Sequence, residues 1–305
     1  MYHNYISFNI LVIYIIIYVI IIKTMNKIFV IFLIIIIINV ILIYTKKSFI
    51  NKDELNDLDK NGFQLLPNFL NNNEINMIQN LTANKKLLNI KKYIIKNKEY
   101  KIKKILNNDY MFQDYIWYIM KSNVHTCHRD NNGKFFNENQ IYDSYTILIF
   151  IEDMDRCLDV IPKSHKSKYN NAINFSDYTR SVPCKKGDAL LFNANLIHTG
   201  SFNKKPNNLR IQMKVSHKDD IKQLSYYQDF NKYVDKENNI PKPIKYLQKN
   251  LSCTYPVFSD LTQKTNINTS RGSSDKNVKI PLSQKIFSYL FYGDSNYYDL
   301  PDITK

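Results

Sequence analysis

Hydrophobic positions fall into three patterns along the chain, and the first is unbroken. "YISFNILVIYIIIYVIII" (5–22) and "IFVIFLIIIIINVILIY" (28–44) are apolar and free of charge. Each is about long enough to cross a hydrocarbon core as a helix, which takes roughly 17–25 residues. A globular strand does not reach that length, and no small-residue cleavage site of a signal peptide follows either run. Residues 1–47 are therefore expected to form a membrane anchor of one or two spans. "KTMNK" (23–27) permits only a tight hairpin if both runs span, and Met25 offers an alternative start with a single span. Lysines flank the second run on both sides, so orientation stays open.

After Lys47 apolar and polar residues interleave. "NKDELNDLDKNGFQLLPNFLNNNEINMIQNLTA" (51–83) reads as helix, short strand, turn and helix. Gly62 ends the first helix, and asparagines ahead of Glu74 cap the second. The lysine-rich stretch 84–105 has apolar residues at mixed spacing and is read as a basic outer face in preference to a membrane-binding helix. From about 109 to 216 the pattern turns to β, with strands expected in 142–153, 188–202 and 209–217. The last two are expected to pair as a hairpin across "KKPNN". Several short strands without βαβ alternation predict a mainly β antiparallel sandwich or barrel. Residues 218–305 are mixed, polar and Tyr-rich; they predict no particular fold and are assigned as a C-terminal extension that acts as a lid.

Charge changes this picture little. The 305 residues carry 42 Lys+Arg against 27 Asp+Glu, a net +15, compatible with nucleic acid, an anionic membrane or an acidic substrate. Asn, Ile, Lys and Tyr are abundant throughout, so part of the charge reflects compositional bias and most lysines are read as solvated surface. A nucleic-acid partner is not expected, because the apolar N-terminus would hold the domain at a bilayer. The four cysteines (127, 157, 184, 253) form no C-x-x-C pair and are read as isolated thiols or small buried hydrophobes. N-x-[ST] triplets at Asn80, Asn174, Asn250 and Asn268 are expected by chance in so Asn-rich a chain.

Chemistry concentrates in "NVHTCHRDNN" (123–132). If this segment is extended, His128 and Asp130 share a face, with His125, Cys127 and Arg129 opposite. A compact zinc site from His125, Cys127 and His128 would require abandoning the strand. A histidine and a carboxylate two apart can hold one metal ion if a third ligand arrives, and His198 in "LIHTGS" is the candidate. Two imidazoles and one carboxylate make the facial triad of non-haem Fe(II) oxygenases, with open positions left for cosubstrate and oxygen. Arg210, twelve residues further on, could grip a far carboxylate through paired hydrogen bonds.

With these residues in place, the chain resembles the phytanoyl-CoA dioxygenase family of Fe(II)/2-oxoglutarate oxygenases. "DKNGFQLLPNFLNNNEINMI" looks like the family's opening segment, "CHRD" its H-x-D strand, "LDVIPKSHK" (158–166) its P-G-S-H loop, and "KKGDALLFNANLIHTGSFNKKPNNLR" its G-D…H…R segment. The resemblance covers roughly 55–217. It implies a double-stranded β-helix (jelly-roll) core with flanking helices and an oxygenase domain over 48–217. It also implies Fe(II) on His128, Asp130 and His198, with 2-oxoglutarate anchored by Arg210. The reaction implied is hydroxylation using O2, with 2-oxoglutarate decarboxylated to succinate; the Asp130 carboxylate points away from halogenation. The substrate expected is a small molecule, lipid or acyl-CoA. Two departures stand out: Lys163 replaces the glycine before Ser164-His165, and Gly200 stands where relatives often have a serine, with Ser201 adjacent. The rival is a catalytically silent jelly-roll binding module tethered to a membrane.

Overall fold

The computed structural model describes residues 27–45, 49–121, 124–137, 139–167, 179–203, 209–224, 228–235, 240–254 and 282–295. The chain divides into two compact units, Met1–Lys46 and Lys47–Lys305. In the first, the second apolar run is one continuous helix, α1 (Lys27–Thr45). Phe29, Ile31, Phe32, Ile34 and Ile38 on it are exposed. Among the described residues no helix is long and apolar enough to cross a membrane, so the expected anchor of one or two spans does not appear there. The run 5–22 lies outside the described residues.

The second unit is built on two sheets. Strands β1 (Asn56–Asp57), β2 (Phe63–Leu66), β3 (Tyr110–Phe112), β4 (Tyr115–Lys121), β5 (Tyr145–Phe150), β6 (Met154–Val160), β7 (Arg180–Cys184), β8 (Ala189–Asn193), β9 (His198–Gly200), β10 (Arg210–His217) and β11 (Phe230–Asp235) follow in chain order, with the short helix α2 (Leu58–Asn61) between β1 and β2. The larger sheet runs β1-β2-β8-β5-β10-β4-β11, with β3 also pairing β10; the smaller runs β7-β6-β9. The mainly β core and its two facing sheets are consistent with the expected jelly roll.

The sequence pattern accounts for this layering. In β5 all six residues are buried, because both faces of the strand are covered. Ile147 and Ile149 pack outward, with Ala189 and Leu191 of β8, against α3 (Asn72–Ala83) and α4 (Leu87–Ile105). Leu148 and Phe150 pack inward, with Leu190 and Phe192, against Leu158, Val160 and Val182 of the smaller sheet. The "KKGD" signal forms the turn before β8: Gly187 takes φ +91° and a Cβ there would meet the Leu70 carbonyl at 2.7 Å. Asp188 closes that turn by accepting from the backbone N–H groups of Asn68 and Lys185.

Helix α4 is the expected basic face, yet its lysines are not all solvated. Ile90, Ile94 and Ile102 face the core, Lys91 reaches Asp114, and the buried Lys98 pairs with Glu74 at 2.6 Å.

Three expectations are corrected. First, β9 and β10 do not form a hairpin: β9 pairs β6, while β10 pairs β5, β4 and β3 in the other sheet. Here β8, β9 and β10 alternate between the two sheets, so chain adjacency of β9 and β10 does not mean pairing. Second, the H-x-D segment belongs to no regular strand; only His128 makes a bridge, to His198. Third, the cysteines are not isolated. Cys127–Cys253 and Cys157–Cys184 are disulfides with Cα separations of 5.0 and 5.8 Å, within the span such bonds allow.

The C-terminal residues, for which the sequence predicted no fold, add β11 parallel to β4, then α5 (Lys242–Thr254) and α6 (Leu282–Tyr292). Their polar anchors grip the metal-motif segment. Gln248 hydrogen-bonds His125, Ser252 accepts from the Cys127 N–H, and Tyr292 bonds Thr126.

Candidate metal centre

His128, Asp130 and His198 converge. All three are buried, and one ligand atom from each lies within 4.8 Å of the other two. The reciprocal backbone bonds of His128 and His198, both 2.9 Å, hold the two chain segments side by side and bring the imidazole centroids to 4.4 Å. Asp130 is placed by its N–H donating to the Ala194 carbonyl at 2.8 Å.

Each imidazole is fixed in one tautomer. His128 Nδ1 lies 2.9 Å from the Thr126 carbonyl and His198 Nδ1 lies 2.9 Å from the Leu196 carbonyl. A carbonyl only accepts, so both Nδ1 atoms carry hydrogen, and Nε2 is the atom through which each ring can ligate a metal. Metal-binding histidines are held in this way. His198 Nε2 stands 3.8 Å from Asp130 Oδ1. The site therefore fits a divalent metal ion: two imidazoles and one carboxylate, all buried and converging on one point. Asp130 is held well below the ordinary carboxylate range; burial works to raise it, but Lys214 and the two histidines outweigh burial.

The cavity over this triad is also lined by Arg210, Gln212 and Lys214, which alternate on β10, and by Tyr115 and Trp117 of β4. Arg210 thus reaches the predicted pocket from the sheet opposite β9, across the cavity instead of along a hairpin. Lys214, Thr146 and Trp117 were not anticipated. The alternation R-x-Q-x-K from Arg210 carries the signal for Lys214, since residues two apart on a strand share a face. Trp117 has an indole N–H with no hydrogen-bond partner among the described residues.

Other predicted residues lie elsewhere. His165 hydrogen-bonds the Asp59 carbonyl and packs on Gly62, where a Cβ would come within 2.4 Å of its ring; it closes a surface loop. Lys163 adopts φ +69°, the left-handed conformation that glycine takes without strain. Gly200 lines the cavity, but Ser201 donates its hydroxyl to Asp159 and does not replace the absent serine. The zinc alternative is not formed, because Cys127 is bonded to Cys253.

A buried facial triad inside paired sheets defines the class, a non-haem metal site of the oxygenase type. The sequence model for phytanoyl-CoA dioxygenase (PhyH) matches residues 46–207, more than half the chain, and the chain belongs to that family. No curated protein matches it. Among solved structures, the 2-oxoglutarate-dependent epimerase SnoN from nogalamycin biosynthesis aligns at TM-score 0.42 and 11% identity, over 54% of this chain and 82% of that one. The carbocyclase SnoK aligns at 0.40 and 11%, over 56% and 86%. HygX from Streptomyces hygroscopicus, with nickel and 2-oxoglutarate bound, aligns at 0.38 and 12%, over 55% and 87%. Likenesses this distant carry no argument about chemistry.

Proposed function

We propose that this protein is an Fe(II)- and 2-oxoglutarate-dependent dioxygenase that hydroxylates a small, lipid-like organic substrate beside a membrane. The observation that carries the reading is the pair of tautomer-fixed imidazoles facing one buried carboxylate. Bound iron, with 2-oxoglutarate and O2, would supply oxidation of a substrate C–H bond with release of CO2 and succinate.

The protein's own groups do the rest. His128 and His198 present Nε2, Asp130 presents one oxygen, and Arg210 offers a fork of donors to the far carboxylate of the cosubstrate. Ile119, Val124, Leu148, Leu158 and Phe192 make most of the remaining wall apolar, which favours a hydrocarbon-bearing substrate and keeps water out. The Trp117 N–H is available to an acceptor on that substrate. Phe287 and Tyr292 of α6 pack against Trp117 and Val124, which supports reading the C-terminal extension as a wall or lid of the pocket.

Anchoring in this reading rests on the uncharged apolar runs 5–22 and 28–44 of the sequence. Two disulfides support placing the domain on a side of the membrane where such bonds form. The test is succinate release from 2-oxoglutarate by the full chain with added Fe(II), followed by a screen of lipid and small-molecule pools for a mass gain of one oxygen. No succinate above that of an Asp130→Ala variant would overturn the proposal.

A further inference from the structure

The two oxygens of Asp130 are treated differently. Oδ2 accepts from Lys214 Nζ at 2.7 Å and from Thr146 Oγ1 at 2.5 Å, whereas Oδ1 is the oxygen that stands 3.8 Å from His198 Nε2. Lys214 also donates to Thr146 at 2.9 Å, so the three groups close a ring of hydrogen bonds. Lys214 and Thr146 face each other in the β10–β5 register, which places both on the cavity side beside the metal ligand. Lys214 is only 2% exposed and Thr146 fully buried. An ammonium in such a place is costly to desolvate, and a lysine is not needed merely to fill an inner sheet position.

We infer that Lys214, together with Thr146, is a positioning residue that keeps Asp130 a one-oxygen ligand, so that the metal retains the open positions a chelating 2-oxo acid and oxygen require. This deepens the proposed function and rests on it. The chemistry is a matter of counting. A carboxylate with both oxygens accessible can take two sites on a divalent ion. With two imidazoles and a chelating cosubstrate added, a six-coordinate ion would then have no place for oxygen. Hydrogen bonds from two donors hold Oδ2 away from the metal and leave Oδ1 as the ligand atom. The ammonium also sets positive charge near the cation, so it weakens metal binding while preserving vacant positions. A residue with a purely structural role gives the opposite signature, because its loss lowers both affinities together.

The test compares the full-length parent with Lys214→Met and Thr146→Val. Co(II) binding is measured by calorimetry, 2-oxoglutarate binding on the Co(II)-loaded protein, and the ligand field by visible absorption, with circular dichroism to confirm folding. Removing the ammonium is expected to tighten Co(II) binding and weaken 2-oxoglutarate binding, each by about tenfold, the scale of effects from groups behind a metal ligand. The visible band should shift as the carboxylate chelates. Thr146→Val should move all three in the same directions by less, and it decides the matter if Lys214→Met does not fold. Variants that match the parent, or that lose both affinities together with an unshifted band, overturn the inference and leave the proposed function standing. A parent that binds no Co(II) removes the proposed function and this inference with it.

Discussion

Among the described residues the domain contains two buried aspartate–lysine pairs, and their difference separates chemistry from architecture. Asp159 on β6 is 3% exposed and saturated. Its Oδ1 accepts from Ser181 and Ser201 at 2.6 and 2.7 Å, and its Oδ2 accepts from Lys249 of α5. Asp130 is also buried, yet only one of its oxygens is held by Lys214 and Thr146, while the other stands 3.8 Å from the His198 imidazole. A carboxylate with every acceptor used fastens elements together. One with an oxygen turned toward an imidazole nitrogen is arranged for a cation. Burial and charge pairing alone do not tell the two apart; the fate of each oxygen does.

Exchanging the two aspartates for alanine should break the symmetry most sharply. Asp130→Ala is expected to bring metal binding and succinate formation to background, checked by calorimetry and by assay. Asp159→Ala should keep turnover per folded molecule but lower stability by about 3–5 kcal/mol, since Lys249 is left buried without its partner. Urea unfolding measures this. Replacing both members, Asp159→Leu with Lys249→Met, should recover most of that loss. Cutting the other fastening of α5 comes next in size: Cys253→Ser should cost about 2–4 kcal/mol by freeing a long loop in the unfolded chain, again read from urea unfolding.

The smallest effect is on pH dependence. Asp159 titrates below the ordinary aspartate value; burial opposes this, but Lys249 and the two serines prevail. Its contribution is therefore complete above about pH 4, the unfolded aspartate value, and is lost as pH falls through the lower folded value. In the Leu/Met double variant, the fall of stability with acid should be shallower. Equal slopes in parent and variant would show that the pair does not behave as described.

The triad and Arg210 were legible because few residue types bind metal or carboxylate and their order along β segments is restrictive. Lys214 was legible only after β10 had been assigned and Arg210 turned inward, since an Ile- and Lys-rich chain offers many lysines at strand spacing. The supposed hairpin failed because β9 and β10, though neighbours in sequence, belong to opposite sheets. The Cys127–Cys253 disulfide was hidden by distance: its cysteines are 126 residues apart, and pairing at that range depends on tertiary structure that no local pattern encodes. The same holds for α5 and α6, whose hold on residues 125–127 runs through Gln248, Ser252 and Tyr292, polar groups with no periodic signature.

Strand β11 runs parallel to β4 over Phe230–Asp235 and forms the last rung of the larger sheet. A chain cut after β10 would therefore lose more than a cover for the pocket. It would leave β4 with a row of unsatisfied amides and carbonyls along Tyr115–Lys121, beside the aromatic rings of Tyr115 and Trp117. Such a bare rim invites another copy to dock strand against strand, so the shortened protein is expected to self-associate, and a soluble monomer of it would require a charged or proline substitution on β4.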